Sequence, residues 1–359
     1  MKLILRLIFF YCFVFFLQGC KSDAKTDILT IPVNVDKESP LALSDITDKI
    51  ESIELEVTDE SLIQNPSSIF YSSEYIIVQQ SKSIMLFNSN GSFIRLIGTV
   101  GQGPRDFISI GAMAVDFENK RIFIYSSQKF ICYDFDGHFI NKSSDGHFGY
   151  NYFPSANYKD KLLLMCESFK IETEKITPQR VLFFVNDDLI KTDSIIVEKF
   201  KPSSKMEVGI NTLTNEFVTN VDNNTYLYYF ALFPDNFVSD TLYQLIDNHL
   251  IPNLNIRFKN RGLKDGRKEV IIANIFRNSR YVITIYSRRS DRYLFVHDLK
   301  TGESYNIKEG ITDDIYTVEK VIIRPLPNDA NKYYYLHTHL NGDDYDEPNP
   351  TLYVGTLKN

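Results

Sequence analysis

Short apolar runs alternate with polar turns along almost the whole chain, at a spacing too tight for amphipathic helices. Two segments show the pattern best. IVQQSKSIMLFNSNGSFI, from Ile77 to Ile94, and FIYSSQKFICYDFDGHFI, from Phe123 to Ile140, align without a gap at an offset of 46 positions. Each predicts an apolar strand, a polar turn, a second apolar strand, and an Asn-Gly or Asp-Gly turn leading to Phe-Ile. Asn90-Gly91 and Asp136-Gly137 are hairpin signals, because two-residue turns need positive φ, which glycine adopts cheaply. Weaker copies follow. RVLFFVNDDLIKTDSII turns at Asn186-Asp187-Asp188, DTLYQLIDNHLIPNLNI at Asp247-Asn248, and RYLFVHDLKTGESYNI at Lys300-Thr301-Gly302, while TLYVGTLKN closes the chain as a strand. Units of roughly 40–50 residues with about four strands each are the pattern of propeller blades. The chain holds about six of them. The expected fold is therefore all-β: a six-bladed β-propeller with four-stranded antiparallel blades, in place of the two domains that length alone suggests.

Helical periodicity is almost absent, with one plausible short turn from Leu43 to Lys49. A propeller must close its ring. ILTIPVNV, residues 28–35, alternates like a strand, and Pro32 confines it to an edge or a bulge. Either this segment or the following KIESIELEV is expected to complete the sheet made by the C-terminal strands.

The first twenty residues, MKLILRLIFFYCFVFFLQGC, break the pattern. Lys2 and Arg6 precede an unbroken apolar run from Leu7 to Leu17. Eleven residues in a helix cover about half of a ~30 Å hydrocarbon core, which argues against a permanent span. Leu17-Gln18-Gly19-Cys20 resembles the lipobox of bacterial lipoproteins, where the leader is cut before the cysteine and the sulfur is acylated. The expected organisation is a signal peptide over 1–19, a lipidated tether over 20–27 and the propeller over 28–359, with Cys20 as the lipidation site. Several acyl chains on one residue hold a protein stably on a membrane.

Charge and cysteine content narrow the function. Of 39 basic residues the leader takes two, leaving 37 against 46 acidic ones, a net of −9. That balance argues against a nucleic-acid partner, whose phosphates need a basic face. Cys132 and Cys166 lie in apolar runs, FICYDF and LLLMCES, so buried free thiols are expected, with a single disulfide as the alternative. The chain has 22 Tyr and 27 Phe but no Trp, which suits sheets packed face to face on bulky rings.

The residues resemble a family, the six-bladed β-propeller lipoproteins of diderm bacteria, akin to NHL- and TolB-type propellers. The resemblance rests on the lipobox, Leu43-Ser44-Asp45-Ile46, the turn Gly101-Gln102-Gly103-Pro104-Arg105-Asp106-Phe107, and Asp240-Thr241-Leu242-Tyr243. It also rests on Lys300-Thr301-Gly302 followed by Tyr305, and on Asn349-Pro350-Thr351-Leu352. It spans the mature chain and implies the fold and an envelope location, probable sites of activity being left unassigned by the family. Where that family has Gly-Glu-Phe or Gly-Glu-Tyr after the proline, this chain has Arg105-Asp106-Phe107.

The glycine-rich turn lacks the Lys-Ser/Thr of a phosphate loop, and a strand, GAMAVDF, follows it in place of a helix. It reads as a connection between one blade's outer strand and the next blade's inner strand, where Arg105 and Asp106 face a ligand or pair with each other. His337 and His339 share a strand face with Tyr333 and Tyr335, near Asp343, Asp344 and Asp346. They are weak metal candidates; an aromatic and polar face packed on a neighbouring blade, followed by a solvated acidic turn, is the favoured reading, so no metal and no cofactor is assigned. SRRSDR, Arg288 to Arg292, sits at an expected hairpin tip. No nucleophile–base pair, G-x-S-x-G, H-E-x-x-H or C-x-x-C occurs, so no catalytic residue is assigned.

The leading expectation is a non-enzymatic binding or scaffold module, moored by its lipid to the outer membrane of the cell envelope, and monomeric by default. Its partner is a glycan, peptide or protein. The alternative is a carbohydrate-active propeller enzyme, a polysaccharide lyase or hydrolase, and rests on analogy of fold alone.

Overall fold

A computed structural model describes residues 28–359, apart from 128, 144–149, 159–160, 173–174, 200–216, 230–239, 260–262, 265–266 and 339–347. The leader, Cys20 and the tether lie outside the described residues. At the start, β1 (Leu29–Val33), helix α1 (Leu43–Ile46) and β2 (Thr47–Ile53) precede the repeats. Blade I is β3 (Ser68–Tyr71), β4 (Tyr75–Gln79), β5 (Ile84–Asn88) and β6 (Phe93–Leu96). Blade II is β7 (Ala112–Asp116), β8 (Arg121–Ser126), β9 (Lys129–Asp134) and β10 (Phe139–Lys142). Blade III is β11 (Tyr150–Tyr158), β12 (Lys161–Glu172), β13 (Lys175–Val185) and β14 (Lys191–Lys199). Blade IV is β15 (Val218–Val221), β16 (Asn224–Leu227), β17 (Thr241–Ile246) and β18 (His249–Phe258). A small hairpin, β19 (Leu263–Lys264) with β20 (Arg267–Lys268), leads to blade V. That blade is β21 (Val270–Arg277), β22 (Tyr281–Arg288), β23 (Asp291–Asp298) and β24 (Ser304–Lys308). A second hairpin, β25 (Ile311–Thr312) with β26 (Lys320–Val321), leads to blade VI: β27 (Arg324–Leu326), β28 (Asp329–His337), β29 (Thr351–Leu357) and, from the other end of the chain, β2.

The first strands of neighbouring blades lie against one another, β7 by β11, β15 by β21 and β27 by β3, so they form the inner ring of a six-bladed β-propeller. Both segments proposed to complete the last sheet are used, in different places. β2 pairs antiparallel with β29, Thr47 opposite Leu357 and Ile53 opposite Leu352, and closes the ring. β1 instead joins blade IV as a fifth strand, parallel to β18, with Leu29 opposite Leu254 and Val33 opposite Phe258. Pro32 thus sits on an edge, where its missing N–H costs no ladder bond.

Among the described residues the buried apolar side chains fall into six clusters, one between each pair of adjacent blades. This explains why the strands read as nearly continuous apolar runs. Side chains alternate between faces, and both faces are covered. In β4, Ile76 and Val78 enter the joint with blade VI while Ile77 enters the joint with blade II. In β5, Met85 and Phe87 point one way and Ile84 and Leu86 the other.

The turns follow the sequence signals. Gly91, Gly137 and Gly302 have φ of +94°, +83° and +77°, and Asp247 and Asn248 both sit at positive φ in a two-residue turn. Rim bonds repeat between blades. The Arg95 side chain reaches the Asp136 carbonyl at 3.1 Å, Asn141 donates to the Asp187 carbonyl at 3.0 Å, and Asn248 donates to Asp193 at 2.8 Å.

The inner ring is not evenly spaced. β27 has three residues, and its ladder with β28 is irregular, so residues 330–332 have no partner on β27. β15 of blade IV packs there, and Ala330 is buried in the same cluster as Val221.

Candidate functional site

Antiparallel blades have two ends. At one, the turns between first and second and between third and fourth strands are short: none exceeds five residues, the longest being 186–190 and 299–303. At the other end leave the second-to-third turns and the connections to the next blade. Of the longer connections, 54–67, 97–111 and 309–323, each made of described residues throughout, lie there. Long connections on a rigid scaffold are where propellers and other β-folds carry recognition. That end is the candidate site.

The connection from blade I to blade II holds the glycine-rich turn. The Val100 and Phe107 backbones form an isolated parallel bridge, with Gly101 N–H donating to the Phe107 carbonyl at 3.0 Å and Phe107 N–H to Thr99 at 3.0 Å. Asp106 turns inward, and its carboxylate accepts the Gly103 N–H at 2.9 Å. A Cβ on Gly101 or Gly103 would come within 2.4 or 2.5 Å of that carboxylate, so both glycines are fixed by the turn that Asp106 makes. The loop lies on the third and fourth strands of blade II. The Tyr133 hydroxyl donates to the Arg105 carbonyl, Lys142 donates to the Pro104 carbonyl at 2.9 Å, and the Phe107 ring meets Tyr133 edge-on at 6.3 Å. Burial, then the Asp106 charge, pushes the Tyr133 phenol up to about 12. Arg105 is exposed, its guanidinium 5.7 Å above the Phe139 ring. Among the described residues no Arg105–Asp106 ion pair forms, because the Asp106 carboxylate serves the backbone.

The connection from blade V to blade VI is built alike. Between β25 and β26, Asp313 is fully buried. Its carboxylate accepts the amides of Ile315 at 3.0, Tyr316 at 3.0 and Thr317 at 3.1 Å, the Thr317 hydroxyl at 2.9 Å and the Tyr335 hydroxyl at 2.7 Å. Burial alone would raise this carboxyl, but the bonds from Tyr316, Tyr335, Ile315 and Thr317 together hold it below the ordinary carboxylate range. The rigid turn exposes Ile315, Tyr316 and Val318, and Val318 is 79 % exposed at φ +59°, a strained setting for a β-branched residue. Tyr316 also packs on Tyr353, itself stacked on Tyr335 with ring centroids 4.8 Å apart.

This loop explains the face of β28 singled out in the sequence. The Tyr333 hydroxyl meets the Thr47 hydroxyl at 2.6 Å, the Tyr335 hydroxyl meets Asp313, and His337 Nδ1 lies 3.4 Å from Glu319. Three alternate residues place their polar tips on two segments, β2 and the 313–319 turn, which is the face packed on neighbouring structure. His339 and Asp343, Asp344 and Asp346 lie outside the described residues. His337 belongs to blade VI and Arg105 to the connection into blade II, with blade I between them, so the structure does not bring these two together.

Other sequence features prove structural. Asn349 accepts the Ile63 amide at 2.7 Å and donates to the carbonyls of Ser61 at 2.9, Glu56 at 3.0 and Leu55 at 3.4 Å, which secures the connection from blade VI to blade I. Asp240 accepts from Asn255 at 2.7 Å, and Asp45 caps the Ala42 amide at 2.9 Å. Arg288 in the SRRSDR tip is taken up by Asp36 at 2.9 and Glu269 at 3.0 Å. Cys132 and Cys166 are buried, free thiols in the joint between blades II and III. Among the described residues one group could in principle hold a cation: Asp134, Asp136 and His138. It is a turn with both aspartates and the imidazole largely accounted for. Asp134 accepts the His138 amide at 2.8 Å and faces its ring at 3.2 Å, and Asp136 pairs with Arg95 at 3.3 Å. Sequence reasoning missed Asp313, whose only signal was a threonine four residues on within a polar stretch.

This propeller is matched by a family model over most of its length. The chain belongs to the DUF4934 family, a domain of unknown function whose model covers residues 27–351. Among solved structures it is similar to a Bacteroides fragilis protein described as exported, with 15% identity, TM-score 0.64, and coverage of 92% of this chain and 100% of that one. It is also similar to a DUF4221-family protein of Bacteroides vulgatus, with 12% identity, TM-score 0.49, and coverage of 87% and 97%. Search of curated proteins found no match.

Proposed function

We propose that this propeller is a cell-envelope binding or scaffold module, moored through a lipid on Cys20, which presents its long-connection end to a glycan, peptide or protein. The observation that carries the reading is the asymmetry of the blades: among the described residues, tight turns at one end and the long connections 54–67, 97–111 and 309–323 at the other. The polar residues of these connections, together with Asn349, support it, since Asp106, Asp313 and Asn349 spend their polar atoms holding connections in shape. They build a stable surface for recognition. An envelope location draws on the lipobox and on the exported description of the B. fragilis protein, and an outer-membrane address and the kinship with NHL- and TolB-type propellers are parts of the same proposal. No helix among the described residues is long and apolar enough to cross a membrane.

Two experiments test it. Crosslinking in intact cells should capture a partner that is lost when residues 101–107 and 313–319 are replaced by short Gly-Ser links, and kept when the turn 186–190 is replaced. Capture that ignores both changes, or turnover of a defined polysaccharide by the purified protein, sinks the binding reading. For the mooring, Cys20→Ser should abolish incorporation of labelled fatty acid and release the protein from the membrane fraction; unchanged labelling refutes it.

A further inference from the structure

The segment ahead of the closing strand is held in a way that the ring does not require. Ile31, Val33 and Val35 are buried in the joint between blades IV and V, and Leu41, Leu43 and Ile46 in the joint between V and VI. The stretch between them has one ladder contact, the bridge from Ala42 to Thr312. Otherwise side chains and single backbone bonds grip it. Arg288 donates to the Val35 carbonyl at 3.2 Å and pairs with Asp36 at 2.9 Å, and Ser39 N–H donates to the Asn306 carbonyl at 2.9 Å. The Asn306 side chain donates to the Lys37 carbonyl at 3.4 Å. β1 pairs on one side only, at the outer edge of blade IV, so no other strand depends on it.

The junction with β2 is fastened differently. Lys358 N–H donates to the Ile46 carbonyl at 2.8 Å, and its ammonium bonds the carbonyls of Ser44 at 2.9 and Asp45 at 3.0 Å. Ser44 gives its amide and hydroxyl to Asp314 at 3.0 and 2.6 Å. Beyond this knot, β2 runs seven residues along β29 as a full member of blade VI.

We propose that residues 28–42 are a detachable strap: a pull on the amino end peels them from blades IV and V, baring the joint between blades IV and V and, where Leu41 leaves, part of the joint between V and VI, while β2 keeps the ring closed. Peeling begins at Leu29, an exposed strand end, and meets its stop at the α1 knot. What it uncovers is apolar: Ile256, Phe258, Val270 and Tyr286 on one side, Ile283 and Ile307 on the other. The inference needs no lipid on Cys20, and a tether there would supply the pull.

Single-molecule stretching of the full chain, held by handles at residue 22 and at the carboxyl terminus, tests it. The strap predicts a first, reversible step of up to about 50 Å, the extended length of its residues, before any larger rip. Asp36→Asn, which spares the Arg288–Glu269 pair, should lower the force of the first step and leave the later rip unchanged. Pro32→Cys with Arg257→Cys, placed opposite each other on β1 and β18, should remove the step when oxidised and restore it on reduction. A single rip that releases strap and ring together in the unlinked chain, or a first step that survives the oxidised crosslink, overturns the proposal.

Discussion

Asp313 shows how much one side chain contributes to a long loop. Five donors converge on a carboxylate with no solvent access, so removing it strands the Tyr335 hydroxyl and three amides. Asp313→Ala should cost about 2–4 kcal/mol in denaturant unfolding. Its folded pKa is depressed, so its contribution is fully present above the ordinary carboxylate value near 4 and is lost as pH falls through the lower folded value. Calorimetry from pH 6 to pH 3 should show the parent losing more of its stability than Asp313→Asn does; parallel curves would refute the assignment. Gly355 is a second sensitive point. Opposite Tyr333 in the β28–β29 ladder, a Cβ there would stand 2.1 Å from the Tyr333 ring. The ring is fixed by its bond to Thr47, so Gly355→Ala should destabilise by about 2 kcal/mol or more. The thiols are the quiet counterpart. Burial above all pushes the Cys132 thiol up to about 12, and Cys132 and Cys166 should react with a disulfide reagent only after unfolding.

At the scale of elements, the connections 97–111 and 309–323 are the informative ones. Tyr133→Phe removes the hydroxyl that holds the Arg105 carbonyl. It should cost about 1 kcal/mol and speed amide exchange at Gly101 and Phe107, with the blade II strands unaffected. The elements were legible in the sequence wherever their cause is local. Asn90-Gly91 and Asp136-Gly137 mark hairpins because φ is a property of the residue, and Pro32 marks an edge because it lacks a donor. Partner choice was not legible: ILTIPVNV and KIESIELEV looked like rivals for one place, yet they serve blades IV and VI, more than two hundred residues away from their partners in the chain. The interior of the 309–323 connection was hidden for a related reason. Asp313 and Asp314 resemble a solvated acidic turn until Tyr335 and Ser44 arrive from distant positions to meet them. His337 was legible as part of a face, and its Glu319 neighbour was not.

On the scale of the whole molecule, the ring joins the first and last parts of the chain. Thr47–Ile53 meets Thr351–Leu357 in one sheet, so closure waits until the chain is complete, and a fold so rich in distant pairings forms slowly. A chain ending at residue 349 should remain sensitive to protease throughout, whereas loss of Asn359 alone should be tolerated; resistance of the shorter chain would refute ring closure through β29. The stubby β27 has a separate consequence. Through β15 on β28, blade IV touches blade VI although blade V separates them in the chain, so a change at Val221 or Ala330 should be felt in both blades.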